Sequence, residues 1–233
     1  MQERRTTRRV PIDMKISAVI LALGVSTSLQ GQSPNAIMER AVASYSATRS
    51  MRAEFQQKLT NPLTGSTSVS NGVMLRRDPN LLSVNFSDPK GDRVVADGKS
   101  LWLYLPSSAP GQVIRMPSNK GSAAMIDPGS LFLSSPGTRY KITGEGTATV
   151  AGRRSNVVSL VPRKANQTFT RAKVWIDASD NMIRQFELVD LNGLTRLVTI
   201  TKAEKNPVIA RSEFTFTPPR NVRVIDSSTL SGM

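Results

Sequence analysis

The sequence contains neither cysteine nor histidine. Without cysteine there can be no disulfide, no thiolate metal site, no cysteine nucleophile and no acceptor for N-terminal lipid attachment. Without histidine, Ser-His-Asp and Cys-His catalysis and the common zinc sites are excluded as well. Long apolar runs are also missing: no stretch of 18 residues is apolar enough to span a bilayer. No Walker loop occurs. The fragment Gly144-Glu145-Gly146 has Thr149 where a dinucleotide fingerprint needs its third glycine, with no helix following, and reads as a hairpin turn. Asp88, Asp92, Asp97 and Asp127 lie in Gly- or Pro-containing turns, where local backbone hydrogen bonding favours aspartate over any catalytic use. These absences leave a binding function: no catalytic residue, cofactor or metal is expected.

What is present begins with a leader. Arg4, Arg5, Arg8, Arg9 and Lys15 precede an apolar run from Ile16 to Val25, then small and polar residues, which is the layout of a secretory signal. Met14-Lys15 makes a more typical start than Met1, and cleavage is expected near Ser28 or Gly31. An amphipathic anchor or a disordered tail remains the alternative. The expected organisation is a signal segment over 1–31 and one domain over 32–233, since 233 residues at 39% hydrophobic suffice for one sizeable core. A secreted chain with neither lipidated cysteine nor spanning helix should be free in the periplasm or outside the cell. The formal charge is +14, of which +11 belongs to residues after the leader, so anionic surfaces should attract it. Acidic headgroups or an acidic protein fit that charge. Nucleic acid is not expected, because no aromatic-basic recognition motif accompanies it.

Beyond the leader, Ser33-Pro34 precedes Ile37, Met38, Ala41, Val42 and Tyr45, a spacing that predicts one amphipathic helix over 34–46, capped by Ser33. From Met51 the pattern becomes short alternating runs between turn signals: Asn71-Gly72, Asp88-Pro89, Asp97-Gly98, Ser179-Asp180-Asn181 and Asn192-Gly193. Antiparallel strands are predicted at 52–60, 67–76, 81–87, 93–97, 100–105, 112–116, 139–143, 147–151, 154–162, 169–178, 182–190, 194–203 and 212–217. The clearest hairpin is Asp97-Gly98, read as a type I′ turn. Between Gly121 and Ser134 an apolar but broken segment fits two short helical turns, either a flap over the sheet or a plug in its core.

Leu82, Val84 and Phe86 alternate with polar residues, as do Phe186 and Leu188, so each set should face the core. Leu101 to Leu105 and Val174-Trp175-Ile176 are apolar on both faces and must be covered twice. One cover should be the helix and the broken segment; the other requires a second sheet, barrel closure or a ligand. A nearly closed sheet of about eleven strands is wide enough to leave room inside, and periodicity does not say whether side chains fill that room.

Three strings carry a resemblance. Gly72 to Pro106 reads GVMLRRDPNLLSVNFSDPKGDRVVADGKSLWLYLP, Phe214 to Val224 reads FTFTPPRNVRV, and Phe55-Gln56-Gln57 follows the first helix. The first is similar to a basic-Pro turn, apolar strand, Pro turn and DGxxLWxY run, and the second to a closing F-x-F-x-P-P-x-x-V. Together they resemble the LolA family of outer-membrane lipoprotein carriers over nearly all of the chain after the leader. The resemblance implies a mainly β fold, an incomplete antiparallel β-barrel lidded by helices. It implies a monomeric, non-enzymatic periplasmic chaperone that holds the acyl chains of triacylated lipoproteins and carries them from inner to outer membrane. The partners implied are an ATP-driven inner-membrane transporter and an outer-membrane receptor. The acyl-binding residues implied are Leu82, Val84, Phe86, Trp102, Tyr104, Met125, Phe132, Phe186 and Leu188, with Trp102 equally readable as core packing. The family places an arginine just before the proline of the first turn and ties it to lid opening. Asp78 holds that slot here, so either Arg77 takes the role after a one-residue shift or the latch is built differently. The rival on the same fold is a lipid- or peptide-sensing periplasmic regulator, and a further rival is a β domain with a packed interior and no ligand.

Overall fold

The computed structural model describes residues 1–2, 32–117, 127–164 and 169–227. The chain divides into Met1–Gly31 and Gln32–Met233; the leader lies outside the described residues but for its first two, and the fold belongs to the second unit. Helix α1 (Pro34–Ser46) begins where the spacing requires. The Ser33 hydroxyl accepts a hydrogen bond from the Ala36 N–H at 3.2 Å, and Pro34 occupies the first turn, where its missing N–H removes nothing. Ile37, Met38 and Ala41 form its buried stripe.

The described residues form twelve strands in one open sheet. They are β1 (Ser50–Thr60), β2 (Thr67–Arg77), β3 (Leu81–Asp88), β4 (Arg93–Ala96), β5 (Ser100–Tyr104), β6 (Gln112–Pro117), β7 (Tyr140–Val150), β8 (Arg153–Pro162), β9 (Phe169–Asp177), β10 (Ile183–Asp190), β11 (Thr195–Lys205) and β12 (Arg223–Asp226). Two short helices, α2 (Pro128–Phe132) and α3 (Pro136–Arg139), separate β6 from β7. The strand order is β12-β6-β5-β4-β3-β2-β1-β11-β10-β9-β8-β7, so two meanders join through the long β1–β11 pair. All pairs are antiparallel except β12 with β6. One apolar cluster draws on α1, α2 and strands from both meanders, so the sheet wraps around a common interior.

Several local expectations are corrected. Gly144-Glu145-Gly146 is not a turn: β7 runs through it with a bulge between Gly144 and Thr147, where Gly146 takes φ +88°. Asn71-Gly72 is likewise inside a strand. A Cβ on Gly72 would stand 2.5 Å from the Asn85 carbonyl oxygen and 2.9 Å from Phe55 Cζ, so the glycine makes room for a core ring rather than for a reversal. The Asp97 hairpin is not type I′, because only Gly98 has positive φ; the Asp97 carboxylate accepts from the N–H groups of Lys99 and Ser100, each at 2.8 Å. Residues 212–217 are not a strand: a 3-10 turn occupies Arg211–Phe214. The terminal strand β12, which short alternation did not reveal, lies parallel to β6.

Barrel closure is not what covers the sheet's second face. The segment after β11 crosses the outside of β2–β5. Phe214 packs there with Leu75 and Leu81, and Phe216 lies 5.6 Å from the Trp102 ring and 5.8 Å from that of Tyr104. Leu101 and Leu103 face inward and Trp102 and Tyr104 outward, so both faces of β5 are covered by protein.

Candidate functional site

Inside the wrapped sheet, Leu82, Val84 and Phe86 of β3 meet Phe186 and Leu188 of β10 in the main cluster. Phe132 of α2 is fully buried among them, edge-on to Phe186 at 5.4 Å and to Phe169 at 6.1 Å. Phe55 of β1 meets Phe86 edge-on at 5.6 Å. A cavity of about 50 Å³ remains among Phe55, Val84, Phe86, Phe186 and Val198, with Pro128 of α2 closing it from above. A second, of about 40 Å³, lies between α1, α2 and β10, against Ala41, Leu133 and Met182. Each holds little more than a water-sized group, so side chains nearly fill these two hollows, while a wider opening of about 430 Å³ lies beside α2 against Tyr45, Arg76, Leu82, Asp127 and Leu133. Leu131, Phe132 and Leu133 supply much of that filling.

Polar contacts hold α2 in place. Asp127 caps it, accepting from the N–H groups of Gly129 at 3.2 Å and Ser130 at 3.3 Å and from the Ser130 hydroxyl at 2.7 Å. The Tyr45 hydroxyl at the end of α1 donates to the same carboxylate. Its ring lies so close to Gly129 that a Cβ there would overlap Tyr45 Cε2, which requires glycine at the crossing. Burial raises the Tyr45 pKa, and the Asp127 charge raises it further while Arg76 opposes, so the phenol stays a donor at neutral pH.

Arg76 of β2 completes the arrangement. Its guanidinium sits 4.2 Å from the centre of the Tyr45 ring, donates to Asp78 Oδ1 at 2.9 Å, and donates to the Thr48 carbonyl. The side chain is 8% exposed, and among the described residues its Nε has no hydrogen-bond partner. Neighbouring Arg77 points the other way. It donates to the Ile209 carbonyl at 2.7 Å and covers the Phe214 ring at 5.3 Å, tying the C-terminal segment to the outer face. The arginine beside the lid is therefore Arg76, one strand position from the sequence candidate.

Leu82, Val84, Phe86, Phe132, Phe186 and Leu188 are thus brought together. Trp102 and Tyr104 are not: strand alternation places them outside, where Arg115 also covers the Trp102 ring at 5.4 Å. Met125 lies outside the described residues. Tyr45, Arg76 and Asp127 were not singled out as a set, although Arg76 shares the inward parity of Met74 and could have been found from that. Elsewhere, almost fully buried Asp177 accepts from Arg153 and from Arg184 Nε, the latter at 3.0 Å, fastening the β9–β10 turn.

An open β-sheet wrapped about an apolar interior and lidded by short helices defines a class of fold without naming a member. The family model described as outer membrane lipoprotein carrier protein LolA matches residues 46–217, and the chain belongs to that family. It is 30% identical over 181 residues to an outer-membrane lipoprotein carrier protein of Xylella fastidiosa, covering 76% of this chain and 81% of the relative. It is 23% identical over 217 residues to one of Chromobacterium violaceum, covering 92% and 98%. Among solved structures, an uncharacterized conserved protein from Thermus thermophilus superposes with a TM-score of 0.53 at 14% identity, covering 84% of this chain and 99% of that one. That likeness concerns the fold.

Proposed function

We propose that the protein is a periplasmic carrier that shelters the acyl chains of lipoproteins beneath its lid and takes them from the inner to the outer membrane. The observation that carries this reading is a continuous apolar interior whose cover, α2, is itself apolar below and fastened by a small polar set, Tyr45, Arg76 and Asp127. An acyl chain gains about 0.8 kcal/mol for each CH₂ withdrawn from water. The two cavities under α2 are far smaller than such a chain, so loading there must lift Leu131, Phe132 and Leu133 and put the chain in their place.

Opening is then an exchange of one apolar filler for another, with little net hydrophobic change. What keeps the empty lid shut is the burial of Leu131, Phe132 and Leu133 together with the polar set, and it is Arg76, rather than Arg77, that is the latch of this reading. Leu82, Val84, Phe86, Phe186 and Leu188 become the wall against the chain, and Phe132 the group it displaces. Leaving a bilayer gains a chain nothing, because the bilayer is equally apolar, so direction must come from outside. The reading includes an ATP-driven inner-membrane transporter at loading, an outer-membrane receptor at delivery and triacylated cargo. It also includes a cleaved signal over 1–31, a single carrier domain over 32–233, a monomer, and no chemistry catalysed by the chain.

The test is to add the purified protein to spheroplasts making a triacylated lipoprotein, together with its own organism's transporter. Appearance of that lipoprotein in the soluble fraction, bound one to one, is expected. A folded protein that releases none would overturn the reading.

A further inference from the structure

The wall of the cavity below Pro128 is not wholly apolar. Inward positions of β1 lose burial toward the β1–β2 turn: Met51, Ala53 and Phe55 are buried, Gln57 and Leu59 only partly. Paired β11 repeats the gradient, with Ile200 and Val198 buried and Arg196 partly exposed. Register sets Gln57 opposite Val198, and Arg196 between Leu59 of β1 and Leu188 of β10. Both Gln57 and Arg196 line the same cavity as Phe55, Phe86 and Phe186, on its less buried side.

A guanidinium in this position has five donors, yet among the described residues the Arg196 side chain makes no hydrogen bond and no ion pair. Asp190, the acidic group whose charge acts on it, is already engaged by its own turn, accepting from the N–H groups of Asn192 at 2.8 Å and Leu194 at 2.9 Å. Burial depresses the Arg196 pKa and the Asp190 charge opposes this; arginine nevertheless stays protonated at neutral pH. The Arg196 nitrogens still reach water, unlike Arg76 Nε, so a ligand oxygen that enters the hollow can take the place of that water.

We propose that Arg196, with Gln57 beside it, binds the oxygen-bearing end of an acyl ligand, the carboxylate or ester carbonyl that terminates the chain, while the chain lies along Phe55, Phe86 and Phe186. This deepens the carrier reading and rests on it: the site fixes which end of the amphiphile stands at the mouth. The same chemistry is offered by the ester groups of a lipoprotein and by a free fatty acid. A methylene wall cannot distinguish the two ends of a chain, whereas charge-assisted hydrogen bonds to oxygen can.

The probes are hexadecanoate, its methyl ester and a neutral dipalmitoylglyceryl lipopeptide, each used to displace a neutral fluorescent naphthylamine from the full-length protein. Arg196→Leu is expected to weaken hexadecanoate about tenfold or more, the loss of one charged hydrogen bond. The two neutral esters should lose several-fold, and Arg196→Lys should restore most of the hexadecanoate affinity. Circular dichroism checks that both variants fold. Wild-type affinity decides the source: tighter binding of the lipopeptide than of hexadecanoate makes the ester groups of lipoprotein the ligand, and the reverse order assigns the site to free fatty acid. Equal dye displacement by wild type and Arg196→Leu with all three probes would overturn the inference and leave the carrier reading standing. Failure of every probe to bind wild type would overturn both.

Discussion

Replacing Phe132 by alanine separates a lid from a plug. The ring is fully buried and meets two others edge-on, at 5.4 Å from Phe186 and 6.1 Å from Phe169. Truncating such a phenylalanine removes about 3–5 kcal/mol. If α2 opens as a unit while the sheet stays folded, that loss falls on lid closure alone. At about 1.4 kcal/mol per factor of ten, the open population should rise about 100-fold to several thousand-fold. Native-state hydrogen exchange is the assay. Amides donated within the lid, such as Leu131 N–H to Asp127 and Leu133 N–H to Gly129, should exchange faster by that factor, while β9 and β10 keep their protection. Uniform loss of protection across α2, β9 and β10 would refute the reasoning, because it would make α2 part of the cooperative core.

Three further outcomes are expected. Tyr45→Phe removes the hydroxyl that joins α1 to the Asp127 carboxylate, about 1–3 kcal/mol of lid fastening, and should speed uptake of a neutral apolar dye in stopped flow without lowering the urea midpoint by a comparable amount. Gly72→Ala places a Cβ against the Asn85 carbonyl oxygen and the Phe55 ring, and should cost about 1–3 kcal/mol in urea unfolding. Burial by itself would raise the Asp177 pKa, but hydrogen bonds from Arg153, Ser179 and Arg184 hold it well below the usual carboxylate range. Its stabilisation is therefore fully present above about pH 4 and is lost as the pH falls further. Asp177→Asn should lower stability by about 3 kcal/mol at pH 7 and flatten the acid limb of a stability–pH curve.

The sheet was legible because alternate positions of its strands carry the apolar interior. Leu82, Val84 and Phe86 alternate with Ser83, Asn85 and Ser87 and do face inward, and the Ser33-Pro34 start of α1 is a local signal met by local atoms. What was illegible depends on distant chain. Nothing near Trp102 announces that Phe216 will cover it, so an apolar run facing two ways looked like evidence for closure or ligand. Gly72 and Gly146 carry turn-forming composition, yet one makes room for Phe55 and the other absorbs a bulge. In the site, proximity to a proline pointed to Arg77, whereas strand parity with Met74 assigns the lid contact to Arg76. The parity argument was available; the Tyr45 and Asp127 partners were not, because they come together only through tertiary packing.

The most direct measurement of where acyl chains reside is site-specific photo-crosslinking. A photoreactive phenylalanine analogue is placed at Phe186 or Val198 on the inner face, and at Trp102 on the outer, and the protein is loaded with a lipoprotein carrying a labelled acyl chain. Label joined to the protein from Phe186 and Val198, and not from Trp102, is the expected result. Label captured at Trp102 with none at the inner positions would contradict a chain held beneath the lid.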